Sequence, residues 1–225
     1  MNSFTIMPNL SWYTNPILKN RQRGQFVSQS IDAFYHSEYQ GGNSERRETI
    51  GTVENIITTL KNQFQDKSPK VLAQAQNNLA DILRKDLPQV LQKTGKKNLT
   101  VCLIPRAKAL ATYTANQLIF KQVVTIVVKE LRSFSDGIEY IVRHTNTRTT
   151  HLAKSGYGGD GDLPYPGITK KTCAISKDVN GKDILLIDDL YTETVNIDED
   201  AIQALLDNGA NSVIFYSLGK TASRT

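Results

Sequence analysis

The amino-acid sequence predicts an α/β fold: a twisted, mainly parallel sheet flanked by helices, with a helical region at the N-terminus. The first observation is a set of apolar runs of strand length at 99–105, 184–187 and 212–218. The second is the helical spacing of apolar residues between the last two runs, since a strand, a helix and a strand form a right-handed parallel crossover. The third is that Asp188 and Asp189 directly follow the second run, at the strand end where open α/β sheets bind ligands.

The first 95 residues are predicted to be helical. Apolar residues at helical spacing place three helices there, at 22–35, 48–64 and 71–91. We therefore divide the chain into an N-terminal region, 1–95, and an α/β domain, 96–225. The N-terminal region is interpreted as a lid, a dimer surface or a dock for a protein partner. Its aromatic residues favour core or interface packing over a base-stacking platform; they are Trp12, Tyr13, Phe34, Tyr35 and Tyr39.

The α/β domain is predicted to contain more elements around the apolar runs. Helices are expected at 107–119, 121–134 and 197–206, and a short strand at 138–142. Asn208 and Gly209 end the last helix, as residues at a helix C-terminus do. The polar, glycine-rich stretch 144–168 is too long for an ordinary connection, so we expect a mobile functional loop there.

Composition excludes some classes of protein and leaves others open. With 39% hydrophobic and 22% charged residues, the 225-residue chain resembles a globular protein. No apolar run reaches the roughly 18 residues of a membrane span. Residues 1–10 lack the pattern of a secretion signal, and Cys102 and Cys173 lie in apolar runs, as buried thiols do. These features favour a cytoplasmic protein.

Charge is distributed unevenly along the chain. Positions 96–180 carry 13 Lys and Arg against 6 Asp and Glu, whereas positions 181–225 carry 3 against 8. A basic middle facing an acidic end suits a magnesium–polyphosphate ligand, and it equally suits a nucleic-acid surface. Charge alone therefore does not choose between these ligands.

The paired acids admit a structural explanation as well as a functional one. Asp188 and Asp189 could simply form a turn and cap the next helix. The surroundings favour a binding site, because hydroxyl and amide side chains follow at Thr192, Thr194 and Asn196, just before a helix N-terminus. The free backbone N–H groups of a helix N-terminus bind anions.

Three sequence motifs together resemble those of a known family. The stretch 181–192 reads Gly-Lys-Asp-Ile-Leu-Leu-Ile-Asp-Asp-Leu-Tyr-Thr, with Asn-Gly-Ala at 208–210 and Ser-Leu-Gly-Lys-Thr at 217–221. These motifs resemble type I phosphoribosyltransferases, in particular their ComF-like competence-protein branch. A second segment of that branch, Leu-x-Arg-x-x-x-Thr, is similar to residues 141–148, which read Ile-Val-Arg-His-Thr-Asn-Thr-Arg and lie in the same order along the chain. The resemblance spans roughly positions 98–221 and implies the type I phosphoribosyltransferase fold.

The resemblance implies a ligand, phosphoribosyl pyrophosphate (PRPP), and a role for each motif. Asp188 and Asp189 would hold the ribose hydroxyls. A Mg²⁺ ion would bridge ribose and pyrophosphate, held through PRPP and not by a dedicated set of protein ligands. The 5′-phosphate would lie in the turn formed by Tyr191, Thr192, Glu193, Thr194, Val195 and Asn196.

The pyrophosphate has its own predicted contacts. The resemblance places its loop at Arg106, Ala107 and Lys108, where the two cations suit phosphate oxygens; the alternative is that they are surface cations. In the long loop, the candidate phosphate contacts are Arg143, Arg148, His151 and Lys154. Type I relatives are often dimers, so the resemblance leaves two partners open for the N-terminal helices, a second copy of the chain or another protein.

Two departures from the family pattern keep three functions open. Thr194 replaces the usual loop glycine, and Glu193 brings negative charge near the phosphate. The first function is transfer of phosphoribose to an unidentified acceptor with release of pyrophosphate. The second is a PRPP- or nucleotide-sensing regulator or effector with a poorly catalytic site, in DNA uptake or phage defence. The third is a nucleic-acid-binding module that uses the basic middle.

Overall fold

A computed structural model describes residues 1–14, 20–62, 66–147, 167–169, 171–193 and 195–222. The strands are β1 (Asn2–Ile6), β2 (Leu10–Thr14), β3 (Arg21–Gln25), β4 (Ile31–Tyr39), β5 (Leu99–Leu103), β6 (Phe134–Asp136), β7 (Ile141–Arg143), β8 (Cys173–Ile175), β9 (Asp183–Tyr191) and β10 (Ser212–Thr221). The helices are α1 (Ser44–Glu48), α2 (Val53–Lys61), α3 (Pro69–Thr94), α4 (Ile119–Glu130) and α5 (Ile197–Asp207). None of the helices in the described ranges is long and apolar enough to cross a membrane.

Six strands form a mixed, mostly parallel central sheet in the order β1-β4-β10-β9-β5-β6. All neighbouring pairs are parallel except β1 and β4 at one edge. The pairs β2–β3 and β7–β8 form two separate antiparallel ribbons. The protein is therefore an α/β protein with helices on both faces of a mostly parallel sheet, as the sequence predicts.

The two faces of the sheet bury separate apolar clusters. Helices α2, α3 and α4 cover one face, where they pack against Leu185 and Ile187 of β9. Helix α5 covers the other face, where Ile184 and Leu186 point. Side chains alternate across a strand, so the run Ile-Leu-Leu-Ile supplies both clusters at once. This explains why β9 is apolar along its whole first half.

The helix predicted over 22–35 is wrong. The structure has β3 and β4 there, and β4 lies inside the central sheet, where Ala33 pairs with Phe215 of β10. Four apolar residues over so short a stretch fit helix and strand spacing alike, and the available edge of β10 decides the outcome. Residues 1–95 thus supply two strands of the central sheet as well as α1, α2 and α3.

The remaining predicted elements agree more closely. Helices α2 and α3 occupy the expected stretches, and α5 and β10 match theirs to within a few residues. The helix predicted over 107–119 is wrong, because only two short 3₁₀ turns form there, at Leu110–Thr112 and Ala115–Gln117. Strand β9 also extends further than predicted. Asp188 and Asp189 therefore lie within the strand, near its carboxyl end, and not after it.

The order of the strands reverses between β5 and β9. From β5 the chain continues to β6 on one side and then returns to β9 and β10 on the other. At such a switch point the connections leave in opposite directions and open a crevice at the carboxyl ends of the strands. In this crevice Leu103 pairs with Ile187, so that Ile104 and Asp188 follow side by side.

Candidate functional site

A cavity of about 970 Å³ opens at the carboxyl edge of the sheet, at the β5–β9 switch point. This volume is large enough for a nucleotide-sized ligand. Its lining comes from α2, the segment after β5, the end of β9, the segment after β7 and the end of β10. The candidate site residues in this lining are Arg106, Ala107, Lys108, Arg143, Asp188, Asp189, Thr192 and Val195.

Asp188 and Asp189 have different partners because successive side chains of β9 point to opposite faces of the sheet. Asp189 meets α2, where its Oδ1 lies 3.1 Å from Nζ of Lys61. Burial alone would lower the pKa of Lys61, but the charges of Asp189 and Asp188 outweigh it and raise that pKa. Lys61 therefore remains a cation between the helix and the acids.

Asp188 faces α5, where it meets Asp198. Burial raises the pKa of Asp188 to about 7, and the neighbouring charge of Asp189 adds to this. Burial and the charge of Asp188 raise the pKa of Asp198 well above its usual range. Ionisation of Asp188 thus opposes ionisation of Asp198, and the two carboxyl groups titrate as one interacting pair.

The first turn of α5 carries three consecutive acids, Asp198, Glu199 and Asp200. The helix dipole favours negative charge at this position. Burial nevertheless raises the pKa of Glu199 to about 7, although the Tyr191 hydroxyl donates to its Oε1 at 2.8 Å. Burial also raises the pKa of Asp200 to about 7, although the backbone N–H of Gly167 donates to it at 2.8 Å. This helix end is therefore less negative at neutral pH than its sequence suggests.

Arg106 holds the walls of the cavity together. Its guanidinium donates to the carbonyl oxygens of Lys61, at 3.2 Å, and Gln117, at 2.7 Å, and lies 4.4 Å above the ring centre of Tyr113. The Tyr113 hydroxyl in turn accepts from the backbone N–H of Lys108 at 2.9 Å. Arg106 thus connects α2 to the segment after β5.

Arg143 is the most deeply buried cation of the lining, with 4% of its surface exposed. Its Nε donates to the carbonyl of Arg106 at 2.7 Å, but its Nη1 has no partner among the described residues. Burial lowers the pKa of its guanidinium. A buried donor on a cation is costly when it is unpaired, so an anion in the cavity would relieve that cost.

The residues predicted to surround one phosphate do not all reach the cavity. Thr192 and Val195 line it, and the Thr192 hydroxyl lies 2.7 Å from that of Thr221. Tyr191 and Glu193 instead line a second cavity of about 250 Å³, beside β1.

Asn196 is also turned away from the ligand position. It is buried in a left-handed backbone conformation with φ 61°, and its Nδ2 donates to the carbonyl of Trp12 at 3.4 Å. Four predicted contacts lie outside the described residues: Arg148, His151, Lys154 and Thr194.

Sequence reasoning missed Lys61, Tyr113 and Asp198 as members of the site. Lys61 and Tyr113 lie on elements far from the motif in sequence, and no local pattern marks them. Asp198 carried a signal, because an acid in the first turn of a helix that follows two acids is bound to lie near them.

Neither a metal site nor a known relative identifies the function of this cavity. The described ranges contain no group of three or more His, Cys, Asp or Glu residues arranged to hold a metal ion. No protein-family model matches the chain, and no curated protein matches it either. The function must therefore be argued from the cavity itself.

Proposed function

We propose that this protein binds PRPP with Mg²⁺ in the cavity at the carboxyl edge of the sheet and transfers phosphoribose to an unidentified acceptor. The observation that carries the proposal is the presence in one cavity of two carboxyl groups, Asp188 and Asp189, and of the buried guanidinium of Arg143, whose Nη1 has no partner among the described residues. A ligand that presents hydroxyl groups to the acids and phosphate oxygens to the cation satisfies both sides.

The chemistry follows from the charges. In the transfer, the bond between the anomeric carbon and the pyrophosphate oxygen breaks, and its electron pair leaves with pyrophosphate. Positive charge develops on the ribose ring, as it does in glycoside hydrolysis. Asp188 and Asp189 stabilise that charge electrostatically and accept hydrogen bonds from the ribose hydroxyls. The acceptor forms the new bond from the opposite face and gives up a proton, so the anomeric carbon inverts.

The leaving pyrophosphate needs positive charge and N–H donors. Arg143 supplies a buried donor, and Lys108 lies in the same lining. Mg²⁺ fits the donor set, because carboxylate oxygens are the protein ligands it takes alongside phosphates and water. Asp188 and Asp189 would hold it through its water shell and the ligand's hydroxyls, and it would neutralise charge on the pyrophosphate.

The 5′-phosphate has a place at the N-terminus of α5. Thr192 and Val195 line the cavity there, and the first N–H groups of the helix are anion donors. Three ionised acids in that first turn would repel a phosphate. The raised pKa values of Asp198, Glu199 and Asp200 reduce this repulsion, because the groups are partly protonated near neutral pH.

Calorimetric titration with PRPP and Mg²⁺, with pyrophosphate release measured in the same samples, tests the proposal. We expect wild-type protein to bind PRPP, and Asp188→Asn and Asp189→Asn each to weaken binding at least tenfold. Asp81→Asn is the matched control, since this acid lies exposed on α3 in a surface pair with Arg84. Absence of binding at millimolar PRPP, or equal binding by all four proteins, would refute the assignment of this site.

A second candidate function is a PRPP sensor with little turnover, and the Lys61–Asp189 ion pair favours it. In this function Lys61 pairs with Asp189, the carboxylate that a transferase needs for the ribose, and PRPP binding displaces the lysine. Lys61→Gln separates the two candidates. A transferase whose acids already reach the ribose does not release pyrophosphate faster when Lys61 is replaced, whereas a sensor whose Asp189 is blocked by the lysine does.

A further inference from the structure

The ribbon formed by β2 and β3 lies outside the central sheet and has two different faces. Its strands are antiparallel, with Leu10 opposite Gln25 and Trp12 opposite Arg23. Opposite residues of such a pair share a face, and successive residues alternate between faces. We call the face that carries these four residues and Arg21 the outer face of the ribbon.

The inner face of the ribbon is half-buried, whereas the residues of the outer face are exposed. On the inner face the Tyr13 hydroxyl donates to Oε1 of Gln22 at 3.1 Å, and its ring packs edge-on against Phe26, directly after β3, at 5.5 Å. The ribbon backbone contacts the rest of the protein where the carbonyl of Trp12 accepts from Nδ2 of Asn196 at 3.4 Å, just before α5. The ribbon therefore presents its outer face to solvent.

The outer face combines exposed apolar surface with positive charge. Trp12 is 54% exposed and Leu10 is 56% exposed. The guanidinium groups of Arg21 and Arg23 lie 5.1 and 5.7 Å from the Trp12 ring centre. Within the part of the chain that the structure describes, no carboxylate pairs with either arginine, and residues 10–25 contain no acid in sequence.

Trp12 does not pack in the core, which was one of the two placements expected for it. A large aromatic side chain left half in water costs free energy unless a partner covers it. The partner must be anionic, because two arginines flank the ring without carboxylates to neutralise them. It must also present flat apolar groups that stack on an indole. Nucleic-acid bases joined by phosphates meet both requirements.

We infer that the outer face of the β2–β3 ribbon binds single-stranded nucleic acid, with a base stacked on Trp12 and phosphates held by Arg21 and Arg23. A single strand is favoured over a duplex because its bases are free to stack on a side chain. The inference uses no residue of the cavity, so it does not depend on PRPP binding. DNA and RNA share the chemistry, and the test distinguishes them.

Trp12 is the only tryptophan of the chain, so intrinsic fluorescence reports on the outer face alone. The full-length protein is titrated at low salt with unlabelled oligothymidylate and oligouridylate of about twenty nucleotides each, within the range of single-strand site sizes. We expect saturable quenching of the tryptophan emission by one or both oligonucleotides, with an affinity that falls as salt is raised. The stronger of the two identifies the source of the strand.

Variants assign the binding to the ribbon, with labelled oligonucleotide anisotropy as the readout. Trp12→Ala is expected to weaken binding about 5- to 150-fold, the range for one stacked base, and Trp12→Phe to recover most of it. Arg21→Gln with Arg23→Gln should lower the slope of log affinity against log salt by about 1.4, from two lost phosphate contacts. Lys93→Gln with Lys97→Gln is the matched control, because these exposed lysines lie at the opposite edge of the sheet.

Several results would overturn the inference. They are an absence of quenching by both oligonucleotides, equal affinity for a duplex of the same length, or unchanged binding by the ribbon variants together with loss in the lysine control. The oligomeric state, measured by sedimentation, provides a further test. If the wild type is a dimer that Trp12→Ala converts to a monomer, and oligonucleotides do not compete with dimerisation, the outer face is an interface between two copies of the chain.

Discussion

The protein buries carboxylates in two regions, and it treats them differently. On the α3 side of the sheet, Asp86 is fully buried, and its Oδ2 accepts from the His36 ring at 2.8 Å and from the Tyr216 hydroxyl at 2.9 Å. Burial alone would raise the pKa of Asp86, but these two partners outweigh it and lower that pKa. The carboxylate therefore joins α3 to β4 and β10.

At the carboxyl edge of the sheet the balance is reversed. Burial raises the pKa values of Asp188, Asp198 and Glu199. The charge of a neighbouring acid adds to this in each case: Asp189 for Asp188, Asp188 for Asp198, and Glu193 for Glu199. One carboxyl oxygen each of Asp198 and Glu199 has no hydrogen-bond partner among the described residues. Oδ1 of Asp86 is likewise without a partner among the described residues, so the two regions differ in how neighbouring groups shift the carboxyl pKa and not in unpaired oxygens.

The largest expected effect is on the α3 side. Asp86→Ala removes the acceptor of two buried donors, and we expect it to lower the free energy of unfolding by about 3 kcal/mol. Urea denaturation at neutral pH measures this. Asp81→Ala, on the exposed face of the same helix, should change stability by less than about 0.5 kcal/mol. Similar losses in both variants would show that Asp86 contributes no more than a surface acid.

The second prediction concerns ligand binding at the edge. Because the pKa of Asp188 is about 7 and its ionised form is the one that accepts ribose hydroxyls, PRPP affinity should rise with pH up to about 7. Where this single deprotonation limits binding, the change is about tenfold per pH unit. Calorimetry between pH 5.5 and 8, a range of about one to two units around that pKa, measures it. Asp188→Asn should remove this rise and leave the dependence that comes from Asp198, Glu199, Asp200 and PRPP itself, and an unchanged profile would contradict the role of Asp188.

The third prediction is a pH dependence of stability with opposite signs in the two regions. Carboxyl groups whose folded pKa is raised to about 7, as in Asp188, Glu199 and Asp200, bind more protons in the folded state. Their contribution to stability is therefore present at low pH and lost as pH rises from about 4 to 7. The lowered pKa of Asp86 acts in the other direction, so its contribution is lost as pH falls below about 4.

Asp198→Asn isolates the edge region in that measurement. It removes the acid with the strongly raised pKa, and its amide can still donate to Asp188. Unfolding at pH 5 and pH 8 should show a smaller loss of stability with rising pH than in the wild type, by about 1.4 kcal/mol for each unit of pKa shift removed. The same loss of stability in both proteins would mean that the pKa of Asp198 is not raised in the folded protein.

The smallest expected effect is on the free energy of unfolding, through the packing around Gly219 of β10, where β10 meets α2 near the cavity. A Cβ added at Gly219 would lie 3.2 to 3.3 Å from Leu190, Ile57 and Tyr39. Gly219→Ala should therefore destabilise the protein by about 1 kcal/mol through overpacking. Gly42→Ala is the control, because nothing lies within 4 Å of the added group. Equal effects of the two changes on the thermal midpoint would show that this junction is loosely packed.

The elements that could be read from the sequence were those with a strong local pattern. The continuous apolar run of β9 has the length of a strand, and the spaced apolar residues of α3 and α5 fit one face of a helix, so each pattern indicates one element type. The short amphiphilic stretch 22–35 did not, since β4 forms only where β10 offers backbone partners. In the candidate site, the acids of β9 were visible because they end an apolar run, whereas Lys61 was not.

By itself the sequence determined the α/β class, the main helices and strands, and the place of Asp188 and Asp189 at a strand end. Apolar periodicity is local, so it survives without knowledge of the fold. Only the tertiary structure decided that residues 31–39 join the sheet, that Lys61 pairs with Asp189, that Asp188 raises the pKa of Asp198, and that Trp12 stands exposed between two arginines. Those contacts join residues far apart in the chain, and their charges and burial depend on neighbours that no local pattern specifies.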